Sequence, residues 1–136
     1  MVMPQRQAGS VALEMVFVGP ALILLLLFVA VGGRILTAKG EVQGAARDAA
    51  RAASLSRADA SADARAAAAQ TLDQAGLRCA SFTVSLDPAG GAPPGNPVAA
   101  EVACEVRVSD LGLPSFPGSK TLRVTMVSPV DSYVGR

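Results

Sequence analysis

The chain has 136 residues, 51% of them apolar but only 4% aromatic, with one Tyr, no Trp and no His, and its net charge is +1. Much of the apolar share is alanine, which buries little area, so a large aromatic-rich core is excluded. The near-neutral charge leaves no electrostatic footprint for nucleic acid, and the missing His removes the commonest general base and metal ligand, which argues against an ordinary small enzyme.

The first element is an uncharged run of nineteen residues, Met15 to Gly33. As a helix it is roughly 28 Å long, just enough for a hydrocarbon core about 30 Å thick. Arg6 precedes it, and Arg34 and Lys39 follow it. Three readings fit: a cleaved secretory signal, a plain membrane anchor and a prepilin-type leader. Ala30-Val31-Gly32 offers a small-x-small cut for the first, although the run exceeds the usual apolar region of about 7–15 residues. No Cys stands just after the run, so a lipoprotein signal is excluded.

Glu14 abuts the span directly. A carboxylate there is a functional suspect by default, with a harmless place among lipid headgroups as the plain alternative. It stands five residues after Gly9, in Gly9-Ser10-Val11-Ala12-Leu13-Glu14-Met15-Val16-Phe17-Val18-Gly19-Pro20. A Leu-rich run and Gly32-Gly33-Arg34 come next. This stretch, Gly9 to Arg34, resembles the type IV prepilin signature and, more narrowly, the TadE-like family of pilin-like proteins of the Tad/Flp tight-adherence pilus. Pro20, six residues after Glu14, falls where that family's pattern has its proline.

The resemblance implies an assembly subunit that performs no catalysis. It implies cleavage between Gly9 and Ser10 by a prepilin peptidase, leaving 127 residues (136 minus 9). It implies that the new amine of Ser10 and the Glu14 carboxylate pair between neighbouring subunits, since pairing recovers much of the cost of an unpaired charge in an apolar setting. The implied partners are the peptidase, major and minor pilin-like subunits, the inner-membrane pilus platform and the lipid bilayer. The cytoplasmic membrane is the implied location, with the N-terminus inside and the remainder outside. Pro20 removes one helical hydrogen bond and is expected to kink or loosen the helix, which membrane helices tolerate.

From Lys39 to Leu77 the chain is largely Ala, Arg, Asp and Ser, with no Pro. Alanine is the strongest helix former. Val42, Ala46, Ala49 and Ala53 recur at the spacing of one helix face, and Arg47, Asp48 and Arg51 point elsewhere. The membrane helix is therefore expected to continue outward, break at Ser54-Leu55-Ser56, and restart with Ser56 as N-cap and Asp59 as its capping partner. The second helix runs to about Ala75, with Gly76 as C′. Its inner face is Ala60, Ala64, Ala67, Ala68, Thr71, Leu72 and Ala75. The mixed charges Arg57, Asp59, Asp63, Arg65 and Asp73 read as a solvated face.

Beyond Gly76 the period becomes two. Ala80–Leu86, Val98–Val108 and Lys120–Val127 alternate apolar with polar residues and read as half-buried strands of an antiparallel meander. The loop Asp87–Pro97 holds Gly and Pro but opens no helix, so it does not read as a phosphate cradle. Ser119-Lys120 lacks any sign of dyad geometry, and Glu101 and Glu105 fall on the wet face of their strand.

A three-stranded sheet under alanine-faced helices is a thin core, which small extracytoplasmic domains reinforce with disulfides. Cys79 and Cys104 are expected to pair, two free buried thiols being the alternative. Cys79 is out of phase with Phe82 and Val84, so it must precede the first strand or sit beside a bulge. Two thiolates without His make a metal site improbable, and no cofactor is expected. The sequence thus describes an α+β protein in three parts: a leader over 1–9, a transmembrane and extended helix over 10–53, and a small extracytoplasmic helix-plus-sheet domain over 54–136.

Overall fold

The computed structural model describes residues 8–133, with side chains from Val11 onward. The leader lies outside the described residues except for Ala8 and Gly9, and so does Arg6. The chain divides into two compact units, Met1–Arg34 and Ile35–Arg136. Residues 35–53, which the sequence groups with the membrane helix, therefore fold with the second unit.

Helix α1 covers Ala8–Leu55. Helical backbone continues through Gly19 and Pro20, although Pro20 has no N–H to offer the carbonyl of Val16. In the first unit α1 is exposed nearly all round: Phe17, Leu24 and Phe28 expose 73%, 67% and 78% of their surface. An 18-residue window of α1 reaches a mean hydropathy of 2.7 with none of it buried, long and apolar enough to cross a membrane. A helix apolar all round needs an apolar surrounding.

In the second unit, the remainder of α1 turns Ala38, Val42, Ala45, Ala46, Ala49, Ala50 and Ala53 inward. Helix α2, Ala60–Gln74, adds Ala60, Ala64, Ala68 and Leu72. Ala67 and Thr71 are half-buried and Ala75 is exposed, so the inner face is narrower than the sequence suggests.

The start of α2 differs from expectation. Asp59, not Ser56, is the N-cap: it is extended (φ −132°, ψ 93°) and its Oδ1 accepts the N–H groups of Ser61 and Ala62 at 3.1 and 3.0 Å. Helix α1 persists to Leu55, and residues 56–59 are needed to reverse the chain. Ser54 stays inside the last turn, donating its hydroxyl to the Arg51 carbonyl. At the other end Leu77 N–H reaches the Leu72 carbonyl and Gly76 N–H the Asp73 carbonyl, with Gly76 at φ 71°. That is the Schellman arrangement, in which a left-handed glycine lets orphan carbonyls find donors.

Strands β1 (Ser81–Asp87), β2 (Pro97–Arg107) and β3 (Ser119–Pro129) form an antiparallel meander with β2 in the centre. The fold is α+β, as the alternating patterns imply. Phe82, Cys104 and Leu122 align across the sheet, as do Val84, Val102 and Val124. The fully buried row belongs to β2: Val98, Ala100, Val102, Cys104 and Val106. Val108 leaves the strand because a short 3-10 helix, Val108–Leu111, begins there. The Gly-Pro loop after β1 is pinned to the tail, since Gly95 N–H donates to the Val130 carbonyl and Val130 N–H to that of Asn96. A Cβ at Gly91 would lie 2.9 Å from that of Ala60, so this loop closes over the first turn of α2 only because the position is glycine.

Candidate functional site

The sequence singles out two constellations, one in each unit. In the first, α1 is already helical at Gly9 and Ser10, which places Ser10 one turn, roughly 6 Å of rise, before Glu14 on the same side. Glu14 is exposed, and Val11, Met15 and Val18 share a shallow surface groove with it. These positions fall at i−3, i+1 and i+4, so the carboxylate sits within an apolar face. Among the described residues Glu14 forms no ion pair. Pro20 interrupts the hydrogen-bond ladder in the second turn beyond.

In the second unit the Sγ atoms of Cys79 and Cys104 are bonded at 1.99 Å, with Cα atoms 5.3 Å apart. The phase conflict between them resolves at the strand boundary. Cys79 lies two residues before β1, free of the pleat, while Cys104 points from β2 into the core with no exposed surface. The adjoining Ala80 N–H donates to the Glu105 carbonyl at 2.7 Å, which fixes this approach.

The wet sheet face carries polar links that the sequence does not announce. Glu105 accepts the Ser81 hydroxyl from β1 at 3.0 Å and the Ser119 hydroxyl from β3. Those two bonds, Ser119 foremost, hold its carboxyl below the usual range. Ser119 is thus committed to Glu105, and the Ser119-Lys120 pair forms no dyad. Glu101 takes the Arg123 guanidinium at 2.7 Å. Strand alternation places these groups on one face, but only the register shows which of them meet. Among the described residues no three His, Cys, Asp or Glu side chains gather as a metal site.

A long, exposed apolar helix in the first unit is compatible with a single-pass membrane anchor, and the second unit is an alanine-faced helix pair with a disulfide-linked meander. Residues 9–51 match the family model described as TadE-like protein, which includes the Gly9–Arg34 stretch that carries the resemblance. No curated protein and no solved structure matches the chain.

Proposed function

We propose that this protein is a minor pilin-like component of a Tad-type pilus apparatus, working through membrane insertion and subunit assembly. A prepilin peptidase cuts between Gly9 and Ser10, and one helix then holds the chain in the cytoplasmic membrane. The observation that carries the reading is Glu14: an exposed carboxylate on an apolar helix face, one turn from the amine that cleavage creates, inside the TadE-like segment. A match to that family supports a Tad pilus-associated role. The disulfide supports an outward orientation of the second unit, because such bonds persist in oxidising compartments. Other pilin-like subunits and the inner-membrane platform are its partners in this reading.

Mass spectrometry of the mature N-terminus tests it. A start at Ser10 is expected. An intact Met1 would make the chain an unprocessed membrane-anchored interaction domain, and a start near Gly33 a protein released by signal peptidase.

A further inference from the structure

The charges of the two helices in the second unit are sorted by sign on their outer faces. On α1, Lys39, Gln43, Arg47 and Arg51 recur every four residues and are all exposed, forming one ridge. On α2, Asp59, Asp63, Ala66, Gln70 and Asp73 alternate steps of four and three and are likewise exposed. Three of the opposite charges, Asp48, Arg65 and Glu41, are turned away from the ridges, and exposed Arg57 before α2 lines a groove with Ala92, Pro94, Val130 and Asp131. Asp48 accepts the Thr71 hydroxyl at 2.7 Å between α1 and α2. The Arg65 guanidinium sits over the Phe82 ring, 5.8 Å from its centre. Glu41 is half-buried and lies roughly 200° around α1 from Lys39 at 3.6 residues per turn. One ridge is therefore basic and the other acidic.

Among the described residues neither ridge forms an ion pair, although Asp59 already accepts the cap hydrogen bonds of α2. Arg123 pairs with Glu101, on the sheet. The guanidinium groups of Arg47 and Arg51 and the carboxylates of Asp63 and Asp73 form no such pair. The ridges also match in reach: Lys39 to Arg51 spans roughly 18 Å, and Asp59 to Asp73 roughly 21 Å, at 1.5 Å per residue. The spacing of four between Arg47 and Arg51 is repeated between Asp59 and Asp63. Small residues lie beside or within both ridges. A Cβ at Gly40 would meet nothing within 4 Å, and Ala66 occupies the middle of the acidic ridge.

We propose that the basic ridge of α1 in one copy of this chain docks on the acidic ridge of α2 in a second copy. The occupant is fixed by complementarity: each ridge presents the sign opposite to the other over a similar length, and the two share one interval of four residues. A one-way contact is heterologous and leaves a free ridge at each end for further copies, whereas a reciprocal contact closes a two-fold pair. Each exposed pair contributes little alone, and the array acts through its number and by rejecting like-charged registers. This deepens the assembly reading above and rests on it for its setting.

The test uses the full-length protein, half of it isotopically heavy, reconstituted in lipid vesicles and treated with a zero-length carbodiimide. Light-to-heavy links are expected between Lys39 and Asp59, Asp63 or Asp73. Arg47→Glu with Arg51→Glu, which leaves Lys39 and all three carboxylates in place, should lower their yield about tenfold, and adding Asp63→Lys with Asp73→Lys should restore light-to-heavy links, now joining the two substituted ridges. Asp59 is left intact because it caps α2. Circular dichroism confirms that each variant is folded, and Arg47→Gln with Arg51→Gln replaces any reversal that is not. Links undiminished in the reversals, links mapping elsewhere, or no light-to-heavy link at all would overturn the contact. A mature start at Ser10 without links defeats this contact alone. Links from a chain that retains Met1 defeat the processing reading and leave the contact standing.

Discussion

Ser81 on β1 donates its hydroxyl to Glu105 on β2 at 3.0 Å, and the second oxygen of the same carboxylate takes the Ser119 hydroxyl from β3. One solvent-facing side chain thus ties all three strands together at the end of the sheet where β1 begins.

The Glu105 arrangement predicts an acid-sensitive contribution. The carboxyl is held below its ordinary range in the folded chain, first by Ser119 and then by Ser81. The stabilisation is therefore present above the unfolded pKa, near 4.3, and is lost as pH falls through the lower folded value. Thermal unfolding from pH 7 to pH 3 should show the midpoint falling below about pH 4.5. Ser81→Ala with Ser119→Ala should flatten that part of the fall attributable to Glu105. An unchanged profile in the double variant would remove the linkage from Glu105.

Asp59 and Ser56 should behave oppositely. Asp59→Ala removes the acceptor for two N–H groups at the start of α2 and should cost about 1 kcal/mol in urea unfolding. Ser56→Ala removes a buried hydroxyl that has no partner among the described residues, so it should be neutral or mildly stabilising. A larger loss at Ser56 than at Asp59 would return the cap to Ser56.

The Cys79–Cys104 bond closes a loop with a sequence separation of 25. On the chain-entropy relation its loss should cost about 3.5 kcal/mol, a large fraction of a small unit's stability. Denaturant titration with and without reductant, alongside Cys79→Ala with Cys104→Ala, measures it. Identical midpoints would show that the bridge contributes nothing to stability.

Glu14→Ala should leave membrane insertion intact and impair assembly. The substitution makes the helix more apolar, so membrane fractionation should be unchanged. Co-purification with other pilin-like subunits should fall. Full piliation with this variant would refute an assembly role for the carboxylate.

The large features were legible because each rests on a simple period. Lipid-length hydrophobicity marks the first part of α1, and alternation marks the three strands to within two residues at most ends. Position along the chain was legible for Cys79 too, since its phase conflict required a place outside the ladder. Three things were not. The N-cap was misassigned because Ser56 and Asp59 both satisfy the same motif, and only the end of α1 decides between them. The end of β2 was missed at Val108 because a 3-10 turn takes the next apolar residue without breaking the alternation. The sorting of charge on α1 and α2 was hidden because Asp48 and Arg65 look like ordinary surface charges until Thr71 and Phe82 are brought beside them.

The inward faces of α1 and α2 are mostly methyl groups, and that changes how the second unit stays folded. Each buried Ala gains little from leaving water, but it has no rotamer to freeze, whereas a buried Met or Leu gives up roughly 0.5–2 kcal/mol of side-chain freedom. The helix layer therefore folds at almost no cost in side-chain disorder. The disulfide works in the same direction on the other side of the equilibrium, by restricting the unfolded chain. This unit is held less by the size of its core than by how little freedom there is to lose.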